Sequence, residues 1–328
     1  MTKPIILKGS AIYLELNGGL RDLDYIMLNL PFSCNYDCVK CCNAERTSYN
    51  IESKLSFNEI SAIIDESKNL GVRVLVMAGE GEPIISKDFR EIINKANNSG
   101  LIPYIFTNGS QLDKDTVHFL KDGNATIIVN MDSLVEERYE ALTKGNFSNI
   151  MRNIAYLRES FRDNIDHTEK YDISRIAINT VVSPHNVFEM FPEGDEPMRK
   201  FCGSDFALVY NLPIFIGNAT QSDFQIREGI LKKIQTRTSK NIPLGTTSDG
   251  LWCAYMTNGI SIGKSGEILT CAYSLESAGS IENIRARGLA YYIGKAKKDT
   301  TNFYKTEGYS RCILRHPKYT QFIEQLKK

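Results

Sequence analysis

Cys34, Cys38, Cys41 and Cys42 crowd into one short run near the start of the chain, Pro31-Phe32-Ser33-Cys34-Asn35-Tyr36-Asp37-Cys38-Val39-Lys40-Cys41-Cys42-Asn43. Thiolates spaced C-x3-C-x2-C within a single loop can wrap one face of an iron–sulfur cubane, since thiolates are the ligands such clusters take. A cubane has four irons, so Cys34, Cys38 and Cys41 leave one iron open to chelate a small ligand that carries an amine and a carboxylate. A second reading is zinc, which takes four ligands in structural sites and would find its fourth in Cys42. A third is plain burial of apolar cysteines.

Cys253, Cys271 and Cys312 form a separate, later set. Twelve residues separate Cys253 from Gly266 and four separate Gly266 from Cys271. The strand-like stretches Ile260–Ile262 and Ile268–Thr270 flank Lys264-Ser265-Gly266, which reads as a β-hairpin that places thiolates toward its two ends. The eighth cysteine, Cys202, lies between the two sets and reads most simply as a buried apolar residue.

The elements that must position these groups alternate. Strands are expected at Ile26–Leu30, Val72–Ala78, Ile102–Thr107, Ala125–Met131, Ile176–Val182 and Phe206–Leu212, each nearly continuous in apolar residues, as strands buried on both faces are. Helices fall between them. Ser56 with Glu59 three residues on forms a capping box, Gly71 follows the end, and Ile60, Ile63 and Ile64 share one face. Phe89, Ile92, Ile93 and Ala96 mark a second helix, Val117, Phe119 and Leu120 a third, and Ile150, Ile154 and Leu157 another. The expected fold class is therefore α/β, a partial (β/α)6 TIM-like barrel with a small C-terminal β-hairpin/helix domain, and ligands of such sheets sit beyond the carboxyl ends of the strands. The expected division is an N-terminal extension over 1–25, the core over 26–215, a helix near Ile226–Ile234 and a polar linker over 216–250, and the appendage over 251–328. The appendage is expected to end in a short helix, Tyr319–Leu326, after Pro317.

Composition narrows the setting. The 328 residues carry 39 basic and 39 acidic side chains, so no bulk basic field draws the chain to nucleic acid or to a membrane surface. The N-terminal run MTKPIILKGSAIYLELNGGL has no signal-peptide pattern, and no apolar run approaches the ~18 residues of a membrane span. The expected compartment is the cytoplasm, where thiols stay reduced and eight cysteines act as ligands rather than disulfides.

With these motifs in order, the stretch 26–215 resembles the radical S-adenosylmethionine (SAM) superfamily. The resemblance implies that Cys34, Cys38 and Cys41 hold a [4Fe-4S] cluster whose open iron binds SAM. Gly79-Glu80-Gly81-Glu82-Pro83, after the second strand, looks like the family's Gly-Gly-Glu motif, so Gly81 and Glu82 are implied contacts of the SAM amino group. Glycine permits close backbone approach and a carboxylate pairs with an ammonium, which agrees. Thr107-Asn108-Gly109 follows the third strand, where the family often has this tripeptide. Asn130-Met131-Asp132-Ser133 stands where it has a Ser-Leu-Asp-Gly segment. By that match Asn130 contacts SAM's polar end and Asn179 its ribose. The family's usual aromatic before the third cysteine is Lys40 here, so the adenine contact there falls to backbone, with Tyr36 as the loop's own aromatic.

The Cys253…Gly266-x4-Cys271 hairpin, followed by Gly279-Ser280-Ile281, resembles SPASM and twitch appendages, which carry auxiliary clusters. A full SPASM domain has further cysteines beyond this point, so the resemblance is to a twitch-like module with a second [4Fe-4S] cluster on Cys253, Cys271 and Cys312. Its fourth position is open, or filled by His316 or Cys202. Expected partners are a small-molecule substrate (a sugar, aminocyclitol, nucleoside or amino-acid derivative) and a reductant such as flavodoxin or ferredoxin. A small substrate also fits the short stretch before Cys34, which leaves no room for a peptide-recognition domain. The alternatives are a maturase acting on a ribosomally made peptide, a molybdenum-cofactor nucleotide cyclase, though the chain ends Gln325-Leu326-Lys327-Lys328 rather than Gly-Gly, and a non-catalytic iron–sulfur electron carrier.

Overall fold

The computed structural model describes residues 3–29, 33–42, 55–78, 81–190, 197–211, 213, 217–219, 221–224, 258–263, 266–269, 277–279, 289–291 and 293–294. Cys253, Cys271, Cys312, His316 and the helices expected near Ile226–Ile234 and Tyr319–Leu326 lie outside the described residues.

Each expected core strand forms within two residues of its expected bounds: β2 (Tyr25–Leu28), β3 (Val74–Met77), β4 (Ile102–Thr107), β5 (Thr126–Asn130), β8 (Ile176–Val181) and β9 (Ala207–Asn211). They lie side by side and all parallel, in that order. The crossovers carry α2 (Phe57–Asn69), α3 (Phe89–Asn98), α4 (Lys114–Asp122) and the pair α5 (Glu136–Thr143) and α6 (Phe147–Phe161). Ser56 and Glu59 form the expected capping box, each side chain meeting the other's backbone N–H.

The strands are apolar nearly throughout because both faces are covered, and their period-two alternation sorts side chains between two environments. Ile26, Leu28, Leu75, Met77, Ile105, Ile127, Val129 and Ile178 face the helices and pack with Ile64, Ile92, Leu120, Ile154 and Leu157 in the larger core. Tyr25, Met27, Val74, Val76, Ala78, Tyr104, Ile128, Ala177 and Ala207 face the concave side. Residues expected as a bare extension close the amino-terminal end of that concave side. Strand β1 (Ile5–Leu7) and helix α1 (Ala11–Leu16), N-capped by Ser10, bring Leu7 and Leu14 into the inner cluster. Thr126 Oγ1 donates to the Lys8 carbonyl at 2.9 Å and Tyr25 Oη to the Gly9 carbonyl at 3.1 Å. β1 pairs in parallel with β7 (Asp172–Ser174), which pairs antiparallel with β6 (Asp166–His167), in a small separate sheet. Among the described residues, this segment fills the amino-terminal end of the concave face.

The expected hairpin forms from β10 (Gly259–Ile262) and β11 (Ile268–Leu269), and β12 (Ser277–Gly279) adds to it. It is continuous with the core sheet: β10 pairs in parallel with β2, giving one nine-stranded sheet. The pairing covers the backbone edge that β2 would otherwise expose. Leu289 and Ile293 pack into the larger core, and the Leu289 backbone N–H donates to Glu66 Oε1 of α2 at 2.7 Å. Among the described residues, no helix is long and apolar enough to cross a membrane.

At the carboxyl end of β4 the chain must turn sharply under α6. Gly109 has φ +75°, and a Cβ there would stand 2.3 Å from Ile150 Cδ1 and 2.9 Å from Val129 Cγ1. Left-handed backbone and overpacking both oppose a side chain, so Gly109→Ala is expected to lower stability by about 2–4 kcal/mol. Chemical denaturation against the parent chain measures this, and a change under about 0.5 kcal/mol would mean that α6 shifts to make room.

Candidate active site

The site lies at the carboxyl ends of the parallel strands and is built around one buried carboxylate. Glu82 follows β3 and is 1% exposed. Gly81 before it has φ +121°, a conformation open to glycine, and admits the chain to that position. Glu82 accepts hydrogen bonds from Thr107 Oγ1 at 2.7 Å, from the Asn108 backbone N–H at 2.6 Å and from the Ile84 backbone N–H at 3.3 Å. Burial pushes its carboxyl up to about 7, against the pull of these three donors. Thr107 and Asn108 thus act together with Glu82, a role that the Thr107-Asn108-Gly109 tripeptide signalled only by its place after a strand.

Asn108 also joins the carboxylate to the cysteine loop. Its Nδ2 donates to Asn35 Oδ1 at 2.9 Å and lies 3.9 Å from Cys34 Sγ, while Asn35 Nδ2 donates to Ser110 Oγ at 2.8 Å. The Glu82 N–H itself donates to the Ser33 carbonyl at 3.2 Å.

The loop of residues 33–42 has neither helix nor strand and is held from outside. The Val39 N–H donates to the Leu142 carbonyl at 3.0 Å, and the Cys38 thiol to the Thr143 carbonyl at 3.6 Å, so the loop rests on the end of α5. Asn218, beyond β9, donates through its backbone N–H to the Cys41 carbonyl at 2.9 Å and through Nδ2 to the Cys38 carbonyl at 3.3 Å. A Cβ on Gly217 would stand 2.4 Å from the Cys41 carbonyl oxygen, so only glycine fits where this segment crosses the loop. No sequence signal marked Asn218. Burial pushes the Cys38 thiol up to about 12, opposed by the nearby Lys40 charge.

Lys40 pairs with Asp132, the second residue beyond β5, in an ion pair whose side chains are 14% and 1% exposed. The Ser-Leu-Asp-Gly likeness pointed to this segment but not to that partner. Tyr36 turns away from the concave face: its ring lies against Gly145, where a Cβ would come within 2.2 Å of Cζ, and it packs on the helix-side core. Asn130 and Asn179 meet at the ends of adjacent strands, Asn179 Nδ2 donating to Asn130 Oδ1 at 2.7 Å. Asn211, ending β9, extends the row by donating to Asn179 Oδ1 at 2.5 Å. A polar residue closing an apolar strand was the only hint of it. Cys202 is 2% exposed in the helix-side core, and burial pushes its thiol up to about 12, as for an inert apolar cysteine.

The donor set fits an iron–sulfur cluster. Cys34, Cys38 and Cys41 sit on one loop as free thiols, and thiolates are the ligands such clusters take. Among the described residues no three His, Cys, Asp or Glu side chains are grouped to hold a single metal ion.

Residues 28–174 match the sequence profile of the Radical SAM superfamily. The GTP 3',8-cyclase of Marinobacter nauticus is 27% identical over 196 residues, 59% of this chain and 56% of that protein. The chain spans about half the length of the curated relatives it matches. Among solved structures, Streptococcus suis SuiB bound to precursor peptide SuiA aligns with a TM-score of 0.58 at 14% identity, covering 80% of this chain and 63% of that one. Native anSMEcpe with bound AdoMet and Cp18Cys peptide aligns with a TM-score of 0.58 at 13% identity, covering 93% and 83%. At these identities the two structures show a shared fold.

The raised carboxyl of Glu82 has a consequence for stability. An acid that is harder to ionise folded than unfolded binds more protons in the native state, so stability falls as pH rises from the unfolded value of 4.5 toward about 7. Glu82→Gln keeps an acceptor for Thr107 and Asn108 but removes the titration. Denaturation of the metal-free chain is expected to weaken by up to about 3 kcal/mol between pH 5 and 8, and the variant to lose most of that slope. An equal slope in both would place Glu82 in contact with a compensating charge.

Proposed function

We infer that this chain, which carries a radical SAM domain over residues 28–174, binds a [4Fe-4S] cluster through Cys34, Cys38 and Cys41 and uses it to cleave SAM reductively. The observation that carries this reading is the hydrogen-bonded line from Glu82 through Asn108 to the cysteine loop, which sets a buried carboxylate beside the loop that bears the three cysteines. When bound, the cluster supplies the electron that splits the SAM sulfonium into methionine and a 5′-deoxyadenosyl radical able to take a hydrogen atom from substrate.

The chain's own residues bind and orient. Glu82 offers a carboxylate to the SAM ammonium, and a cation beside it returns the carboxyl to its ionised form. Gly81 leaves room for that approach. Thr107 and Asn108 keep the carboxylate aimed, and Asn130 and Asn179 present amide groups at the strand ends for the ligand's polar atoms. Lys40, spent on Asp132, leaves the loop backbone as the adenine contact, while Tyr36 braces the loop against Gly145.

The substrate we propose is a small molecule, as in the relatives named GTP 3',8-cyclase, bound at the carboxyl ends of the strands. The reductant is a flavodoxin or ferredoxin. Cys253, Cys271 and Cys312 hold a second [4Fe-4S] cluster that accepts an electron or anchors substrate.

Anaerobic protein with a strong one-electron reductant is expected to convert SAM to methionine and 5′-deoxyadenosine, and the Cys34, Cys38 and Cys41 triple alanine variant to lose this wholly. Chromatography of the products decides, and cleavage at the parent rate in the variant overturns the reading.

Iron content tests the second site. About eight irons per chain are expected, falling to about four when Cys253, Cys271 and Cys312 are replaced, with SAM cleavage retained. About four irons in the parent chain would remove the second cluster.

A further inference from the structure

We propose that the Lys40–Asp132 ion pair is a latch that positions the cysteine loop and keeps the charge beside its cluster balanced. The inference rests on the cluster reading above for its second half only.

The two halves of the pair differ in how they are held. Asp132 is a fixed post. Its Oδ1 accepts the Val181 backbone N–H at 2.9 Å, and its carbonyl accepts Asn186 Nδ2 at 2.8 Å. The residues beyond it are tied down in turn: Ser133 Oγ donates to Glu189 Oε2 at 2.8 Å, and the Leu134 N–H donates to Glu189 Oε1 at 2.5 Å. Three groups from β8 and the segment after it, the Val181 N–H, the Asn186 amide and the Glu189 carboxylate, therefore hold the stretch that carries that carboxylate. Lys40 is the movable arm. It sits between Cys38 and Cys41, in a loop without helix or strand, and reaches across to the end of β5.

Both charges are largely removed from water, with side-chain exposures of 14% and 1%. A buried pair of this kind adds little to stability against an apolar pair of similar size, yet removing one partner leaves an uncompensated charge and is strongly disruptive. The pair thus ties the middle of the C-x2-C segment to a rigid strand end, while Asn218 ties its two flanking carbonyls. It also means that the ammonium nearest the ligand cysteines acts on them as half of a dipole, not as a free cation. A free cation beside a cluster favours the reduced, more negative state; a paired one favours it much less.

Four variants separate these roles: Lys40→Met, Asp132→Asn, the double variant, and Lys40→Arg, which keeps the charge. Hydrogen exchange on the metal-free chain reads the latch. Each single neutral variant is expected to speed exchange at the amides of residues 39–42 by tenfold or more, the double variant to speed it by no more than the larger single effect because one tie is lost in all three, and Lys40→Arg to stay closer to the parent. Redox titration of the anaerobically reconstituted protein, followed by paramagnetic resonance, reads the charge balance. Asp132→Asn is expected to raise the cluster midpoint, and adding Lys40→Met to return it toward the parent value. Parent-like exchange in both single variants, additive losses in the double variant, or a midpoint unmoved by Asp132→Asn each overturn the proposal. A parent chain that takes up no iron overturns the cluster reading instead, and hydrogen exchange alone then decides the latch.

Discussion

The site depends on keeping one carboxylate, Glu82, out of water at the mouth of a parallel sheet. A buried carboxylate without donors is costly, and a nearly fully buried one must be surrounded by them. Thr107 and the Asn108 backbone provide those donors from the next strand over, and Asn108 has its side chain left to hold Asn35 and approach Cys34. Satisfying the acid therefore also sets where the cysteine loop begins. Thr107, Asn108 and Asn35 at this end of the sheet follow from that need, and the hydrophobic core beneath supplies the rigid strand ends that meet it.

The cysteine loop is organised from outside itself. Its backbone donates to α5, accepts from the segment after β9, and sends one ammonium to the segment after β5. A loop that must present three thiolates cannot spend its own backbone on a regular ladder, so neighbouring crossovers satisfy it. This spreads the integrity of the site over most of the sheet and makes distant glycines, Gly109 under α6 and Gly217 over Cys41, part of its geometry.

The sheet's two faces divide the work. Branched and long residues on the helix side make a continuous core, while the concave side carries small residues such as Ala78, Ala177 and Ala207 and then asparagines at the outlet. The amino-terminal segment fills one end of that concave face, and β10 lengthens the sheet past β2.

Much of this was legible beforehand because it is local. Strand β4 runs from Ile102 to Thr107 as its apolar run marks, the Ser56–Glu59 box starts α2, and the spacing of Cys34, Cys38 and Cys41 sets three cysteines on one loop. Periodicity, capping and ligand spacing are properties of neighbouring residues, so the chain order alone determines them. What only the tertiary structure decided is which distant groups meet: Lys40 with Asp132, Asn218 with Cys38 from 180 residues away, Asn211 with Asn179, and β10 with the edge of β2 rather than in a sheet apart. Those pairings depend on register across parallel strands and on where each crossover returns. Both are set by the packing of whole helices against the sheet, and no short stretch of sequence carries that information.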